Sequence, residues 1–199
     1  MGERIVNTFN VGIDLDNVLC DTSKIYCDLF NCYTGENFHE SDLTTYDTTK
    51  CMPKQYKKLE QDIWNWSILY DYVHPLPDSQ HYIEMLSTFP DIKLYVVSQS
   101  NSRVMKEKAD FIRKSFGCIP EDNIIFMTNK SLLKLNVHVD DNIDQLKNGK
   151  YHKLLFTASW NKDYNTSKNG MVRVNNWDEC YNEIIRCYNA WKDIQELYT

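Results

Sequence analysis

The chemistry of this chain begins at Val11-Gly12-Ile13-Asp14-Leu15-Asp16-Asn17-Val18, where an apolar run stops on two carboxylates one residue apart. Desolvating a carboxylate at the end of a buried strand is costly unless a cation or hydrogen bonds compensate, so the position is poor for stability and suited to a site. In extended backbone, residues i and i+2 point the same way, and Asp14 and Asp16 can face one ligand together. An isolated Asp after a strand is more commonly a turn former or a helix N-cap. This doublet differs because other short apolar runs end in polar residues too. Leu94-Tyr95-Val96-Val97 ends in Ser98, with Ser100 and Asn101 behind it, and Val137-His138-Val139 ends in Asp140 and Asp141. Lys130 follows Ile124-Ile125-Phe126 and can reach the same rim. Carboxylates suit Mg²⁺, which takes a few of them plus waters and substrate oxygens. With that ion in place Asp14 could approach a phosphate dianion, and the set has the parts for phosphoryl transfer.

The elements that must position these residues are short. Candidate strands run from Asn10 to Asp14, Lys93 to Ser98, Asn123 to Met127, Val137 to Asp140 and Lys153 to Thr157. Candidate helices are Ser102 to Phe116, closed by Gly117 as a C-cap, and Ile143 to Lys147 ahead of Gly149. Tyr181, Ile184, Ile185, Tyr188 and Trp191 repeat at helical spacing, which predicts a terminal helix covering the core. Alternation of this kind implies an α/β fold with βαβ crossovers and a parallel sheet, and such sheets bind ligands beyond the carboxyl ends of their strands.

Between Asp16 and Ser98 lie 81 residues, far more than a crossover helix needs. The excess predicts a small, mainly helical cap over residues 20–72 inserted after the first strand, with the core made of 1–19 and 73–199. Within the insertion Gln55 to Ile63 looks helical, and Trp64, Trp66, Tyr70 and Tyr72 follow. Pro75 and Pro77 bias their predecessors away from helix and mark the return to the core.

Composition sets the limits. Hydrophobic residues make up 42% and charged residues 25% of 199, ordinary for a folded globular chain. The net charge of −6 disfavours a nucleic-acid polymer as partner, so any phosphate must be met locally. Seven cysteines without a Cys-x-x-Cys pair argue against a disulfide framework or zinc site, and read as small buried hydrophobes in a reducing compartment. No apolar signal region or membrane-spanning run is present, so the expectation is a cytoplasmic protein without membrane contact. The five histidines are dispersed, and His138 is expected to point into the sheet packing.

Asp14-Leu15-Asp16-Asn17-Val18, Ser98, Lys130 and Asp140-Asp141 together resemble, in order, the four motifs of haloacid dehalogenase-type phosphatases. The likeness narrows to the 5'(3')-deoxyribonucleotidases. Asn129-Lys130-Ser131 stands where that group has Asp-Lys-Thr, and Ile63-Trp64, Pro75-Leu76-Pro77, Leu155-Phe156-Thr157-Ala158 with Asn161, and Trp177-Asp178-Glu179 are similar as well. The resemblance spans nearly the whole chain. It implies a Rossmann-like core and Mg²⁺-dependent hydrolysis of (deoxy)nucleoside monophosphates, with Asp14 as nucleophile and Asp16 as acid and base. It also implies Ser98 and Lys130 on the phosphate, and Mg²⁺ held by Asp14, the Asp16 backbone carbonyl and Asp140, with Asp141 behind them. The implied partner is a small nucleotide, and the resemblance leaves room for a homodimer.

The chain departs from the family at Asn17 for a common Gly, at Ser98 for a more usual Thr, and at Thr22 where an aromatic is frequent. Asn enters left-handed backbone readily and Ser keeps the hydroxyl. Aromatic rings stack on bases, which makes Trp64 the candidate for the base pocket, with cap-to-core packing as the plainer role for it and for Tyr46, Trp66 and Tyr70. Two alternatives stand beside the nucleotidase: the same chemistry on another small phosphate ester or a polynucleotide end, and a non-catalytic phospho-acceptor. In phospho-acceptor receiver domains the acidic pair precedes the phosphorylated Asp, whereas here Asp140-Asp141 comes last.

Overall fold

The computed structural model describes residues 8–197. Six strands form one parallel sheet: β1 (Phe9–Ile13), β2 (Ile92–Ser98), β3 (Ile124–Phe126), β4 (Val137–Asp140), β5 (His152–Phe156) and β6 (Met171–Val174), in the order β3-β2-β1-β4-β5-β6. Strand order reverses beside β1, and side chains at the carboxyl ends of β1, β2 and β4 share the crevice that opens there. The helices are α1 (Thr22–Thr34), α2 (Lys57–Ile63), α3 (Ile68–Tyr72), α4 (Ser79–Ser87), α5 (Met105–Ser115), α6 (Ile143–Lys147) and α7 (Trp177–Glu196). Among the described residues no helix is long and apolar enough to cross a membrane.

Every strand predicted from the sequence is present, with ends shifted by at most one residue. The sixth strand, β6, was not predicted: four residues with Arg173 among them give too short an apolar run. The cap for α5 differs from expectation. The helix ends at Ser115 and Phe116 closes it with φ −132°, donating its N–H to the Ile112 carbonyl, so Gly117 is not the left-handed cap. The reason is packing, because Phe116 is buried edge-on against Phe111 and that turn ends the helix without a left-handed residue.

Residues 20–72 contain α1, α2, α3 and three 3₁₀ turns but no strand. The ends of this segment are fastened together: Asp21 N–H donates to the His74 carbonyl, His74 N–H donates to Asp21 Oδ1 at 2.6 Å, and Leu76 N–H donates to the Leu19 carbonyl. Leu43, Ile63 and Leu69 from the insertion join the same apolar cluster as Val11, Ile13 and Val96 of the sheet. Trp177, buried at the start of α7, donates its indole N–H to the Val18 carbonyl at 2.8 Å and anchors the loop after β1. Asn17 in that loop has φ +60°, a left-handed conformation that Asn tolerates. Its Oδ1 accepts the Ser23 N–H at 2.8 Å, tying the loop to the first turn of α1.

The cysteines divide unevenly. Cys20, Cys27 and Cys180 are buried as expected, Cys51 and Cys187 are half-buried, and Cys32 and Cys118 are exposed. All seven are free thiols.

Candidate active site

Parallel pairing brings Asp14 of the loop after β1 beside Asp140 at the end of β4. Asn142 then holds the β4 loop, donating its N–H to Asp140 Oδ1 at 2.8 Å while its own side chain caps α6. Among the described residues, Asp14, Asp140 and Asp141 each offer a carboxylate oxygen, all within 4.8 Å of one another and all buried. Lys130 reaches in from the 3₁₀ turn after β3, its side chain 2% exposed, with Nζ 2.7 Å from both Asp14 Oδ1 and Asp140 Oδ2. One lysine cannot neutralise three carboxylates.

The titration pattern records that imbalance. Burial pushes Asp14 up to about 7, with Asp140 and Asp16 adding to the rise and Lys130 working against it. Burial and the neighbouring Asp14 and Asp140 carry Asp141 well above the usual carboxylate range. Asp140 is also buried, yet Lys130 and His138 hold it below that range. Asp141 Oδ2 is buried and has no hydrogen-bond partner. A cluster of hard oxygen donors with excess negative charge and an orphaned oxygen fits a divalent cation such as Mg²⁺. Asp141, which the resemblance set behind the metal, thus offers its carboxylate alongside Asp14 and Asp140.

The side chain of Asp16 turns the other way. Its Oδ1 accepts from Thr22 Oγ1 at 2.9 Å and from Tyr70 OH at 2.8 Å, and its Oδ2 accepts from Ser98 Oγ at 3.3 Å and Lys108 Nζ at 2.5 Å. Burial opposes its charge, but Lys108 and the hydroxyls hold it below the ordinary carboxylate value. Lys108 is 4% exposed and also donates to Ser98 Oγ and the Gln99 carbonyl. His138 is buried as expected, but it also belongs to the site: Nε2 lies 3.1 Å from Asp140 Oδ2 and donates to that carboxylate.

A cleft of 540 Å³ runs from these groups into the insertion, lined by Asp14, Asp16, Lys130, Tyr46, Glu60 and Trp64 among others. Trp64 stacks on Tyr26 with ring centroids 4.7 Å apart and planes 11° from parallel, and its indole N–H donates to Glu60 Oε1 at 3.0 Å. Thr48 donates to the same oxygen, leaving Glu60 Oε2 buried and unpartnered. Trp66 packs instead against Tyr33, with centroids 4.8 Å apart.

Sequence reasoning missed Lys108, Tyr70, Thr22 as a partner of Asp16, and Glu60. For Lys108 a signal existed. Val104, Lys108, Phe111 and Ile112 fall on one helical stripe, and a lysine in a buried stripe is an anomaly. Tyr70 carried no comparable mark among so many aromatics.

A parallel sheet with acidic groups at the ends of its central strands, facing a buried lysine beneath a helical insertion, defines a haloacid dehalogenase-type hydrolase. Solved structures with this fold include such a hydrolase from Streptococcus pneumoniae, with TM-score 0.65 and 12% identity over 90% of this chain and 99% of that one. Another, from Bacillus subtilis and described as bound to magnesium, has TM-score 0.59 and 13% identity over 89% of this chain and 99% of that one. More narrowly, the chain belongs to the family described as 5' nucleotidase, deoxy (pyrimidine), cytosolic type C, which matches residues 7–190. It is therefore a phosphomonoester hydrolase of nucleotides. A 5'(3')-deoxyribonucleotidase of Clostridium acetobutylicum is 29% identical over 174 residues, which cover 87% of this chain and 93% of the relative.

Proposed function

We propose that the protein hydrolyses (deoxy)nucleoside monophosphates to nucleoside and phosphate, dependent on Mg²⁺, through a phosphoryl group carried on Asp14. What carries this reading is the convergence of Asp14, Lys130, Asp140 and Asp141 on one buried point beside a cleft that Trp64 also lines. Family membership, and the magnesium described in a fold relative, support it. Asp14, Asp140 and Asp141, with the Asp16 backbone carbonyl, would hold the cation, which would supply charge neutralisation on the phosphate oxygens. The insertion over residues 20–72 acts as the cap that closes on the nucleoside.

In the first half-reaction an Asp14 carboxylate oxygen attacks phosphorus, and the bond from phosphorus to the sugar oxygen breaks. Asp16 gives the departing oxygen its proton. In the second half-reaction water attacks the same phosphorus, Asp16 takes the water's proton, and Asp14 is released. Asp16 is ionised when Lys108 and Ser98 both face it. A phosphate seated against Ser98 and Lys108 draws those donors away, and the carboxyl then rises toward the protonated form that the leaving oxygen requires. Lys130 stabilises charge that gathers on the transferring group.

The test is phosphate release from a panel of nucleoside monophosphates by the purified protein with Mg²⁺. Turnover is expected on nucleotides, and Trp64→Ala is expected to raise KM for a nucleotide more than for a generic aryl phosphate, since base stacking on an aromatic ring contributes about 1–3 kcal/mol. Hydrolysis of aryl or sugar phosphates with none of any nucleotide would overturn the assignment. An equal rise in KM on both substrates would remove Trp64 from the base pocket.

The raised carboxyls also couple cation binding to pH. Asp14, pushed to about 7 mainly by burial, and Asp141 carry protons near neutrality that a cation must expel. Because these native values lie above those of an unfolded carboxylate, the stability they confer without metal is full below the unfolded value and is lost as pH rises through about 7. Asp16 and Asp140, held low, act in the opposite sense and lose theirs on acidification. Mg²⁺ affinity is expected to rise between pH 6 and pH 8 by up to about tenfold per pH unit for each proton displaced. Calorimetry at pH 6.5 in buffers of different ionisation enthalpy reads the release directly, and an affinity independent of pH contradicts the cluster's role.

A further inference from the structure

At the opposite end of the sheet from the carboxylate cluster, a second group of metal-ligand side chains stands apart from the nucleotidase chemistry. His152 is the first residue of β5, and Glu183 and Cys187 sit four residues apart on α7, on the same helical face. His152 Nε2 lies 2.8 Å from Glu183 Oε1, and a nitrogen, an oxygen and the Cys187 sulfur all lie within 4.8 Å of one another. We propose that His152, Glu183 and Cys187 form a second metal site, for a thiophilic divalent ion of the zinc type, which clamps α7 to the β5 side of the sheet. The proposal is independent of how the cleft binds its substrate.

The donor set selects the ion. Imidazole nitrogen, carboxylate oxygen and thiolate sulfur suit Zn²⁺ and its neighbours, whereas Mg²⁺ asks for oxygen alone. Zinc bonds of 2.0–2.3 Å in tetrahedral geometry place ligand atoms roughly 3.3–3.8 Å apart, a spacing these side chains reach by small rotations. Three protein ligands leave the fourth position to water. One carboxylate and one thiolate neutralise the dication while His152 stays neutral.

Two groups must yield. Burial, with the Glu183 charge beside it, pushes the Cys187 thiol up to about 11, so it is protonated when no metal is bound. On binding, the S–H bond breaks, the proton leaves to solvent and sulfur bonds the metal. Arg186 now grips Glu183 through Nε at 2.8 Å and Nη2 at 2.5 Å. The Arg186 side chain is 62% exposed but that of Glu183 only 15%, so an entering cation displaces a two-point grip by swinging the arginine out to solvent.

The experiment uses the full chain with excess Mg²⁺ to occupy the carboxylate cluster, and titrates Co²⁺ as a spectroscopic stand-in for Zn²⁺. Expected are a thiolate-to-cobalt charge-transfer band in the near ultraviolet at one equivalent, the intense visible bands of four-coordinate cobalt, and bleaching of both by Zn²⁺. Cys187→Ser removes the charge-transfer band, His152→Ala weakens Co²⁺ binding by more than about tenfold, and Arg186→Ala, at an exposed position, tightens it by freeing Glu183. Absence of the band in the unaltered protein overturns the site. So does a band that survives Cys187→Ser, which would place the metal on another cysteine, or Co²⁺ affinity unchanged by His152→Ala.

Discussion

Asp14→Asn abolishes phosphate release, with kcat falling on the order of 10⁴-fold or more, while the metal-free protein melts at the same temperature or higher. The loss of activity follows because an amide oxygen is too weak a nucleophile to form the phosphoryl bond, and no other carboxylate takes that place. Asp16 is tied to four donors on one side, while Asp140 is held by Lys130, His138 and the Asn142 N–H. The gain or parity in stability follows from the same crowding. Burial pushes Asp14 up to about 7, so in the metal-free protein at pH 8 its charge is a cost that Asn does not carry. Dye-based phosphate assays and thermal melts in chelator check both halves. Activity within about tenfold of the unaltered protein ends the nucleophilic role, and a melt far below it says that the substitution damaged the fold instead of the chemistry.

Residues whose function depends on strand ends were legible in the sequence, because alternation and run length locate a strand end to within about a residue. Asp14, Asp16, Ser98 and Asp140 all stand at such ends, and two parallel pairings, of β1 with β2 and of β1 with β4, suffice to gather them. Lys130 was legible by its place after an apolar run. Lys108 was hidden by context: directly after Lys106, which pairs with Asp110, and Glu107, it reads as one more solvated charge of an amphipathic helix. Only the burial of the stripe containing Val104, Phe111 and Ile112 sets it apart. Tyr70 and Glu60 belong to the insertion, whose helices α2 and α3 are five to seven residues long and whose turns are 3₁₀. Segments so short carry little periodicity, and their arrangement depends on tertiary packing that a local pattern does not encode. The same brevity concealed β6.

Lys130→Met tests the other half of the cluster, and its effect is large on two axes. The methionine keeps the apolar stem and loses the ammonium, leaving Asp14, Asp140 and Asp141 buried with no lysine among them. Removing one partner from a buried ion pair costs about 3–5 kcal/mol, which for a chain of this length lowers the metal-free melting temperature by roughly 6–20 °C. Loss of a charged donor aimed at the transferring group lowers kcat by roughly 10²–10³-fold on top of that. The two effects separate through magnesium. A divalent cation supplies part of the missing positive charge, so saturating Mg²⁺ raises the melting temperature of the variant by more than it raises that of the unaltered protein, while kcat stays low because the cation does not stand where Nζ stood. Melting temperatures with and without Mg²⁺, beside kcat at saturating metal, give the comparison. Equal shifts in both proteins would mean that Lys130 and the cation do not share the same carboxylates, and the charge balance assigned to this site would be wrong.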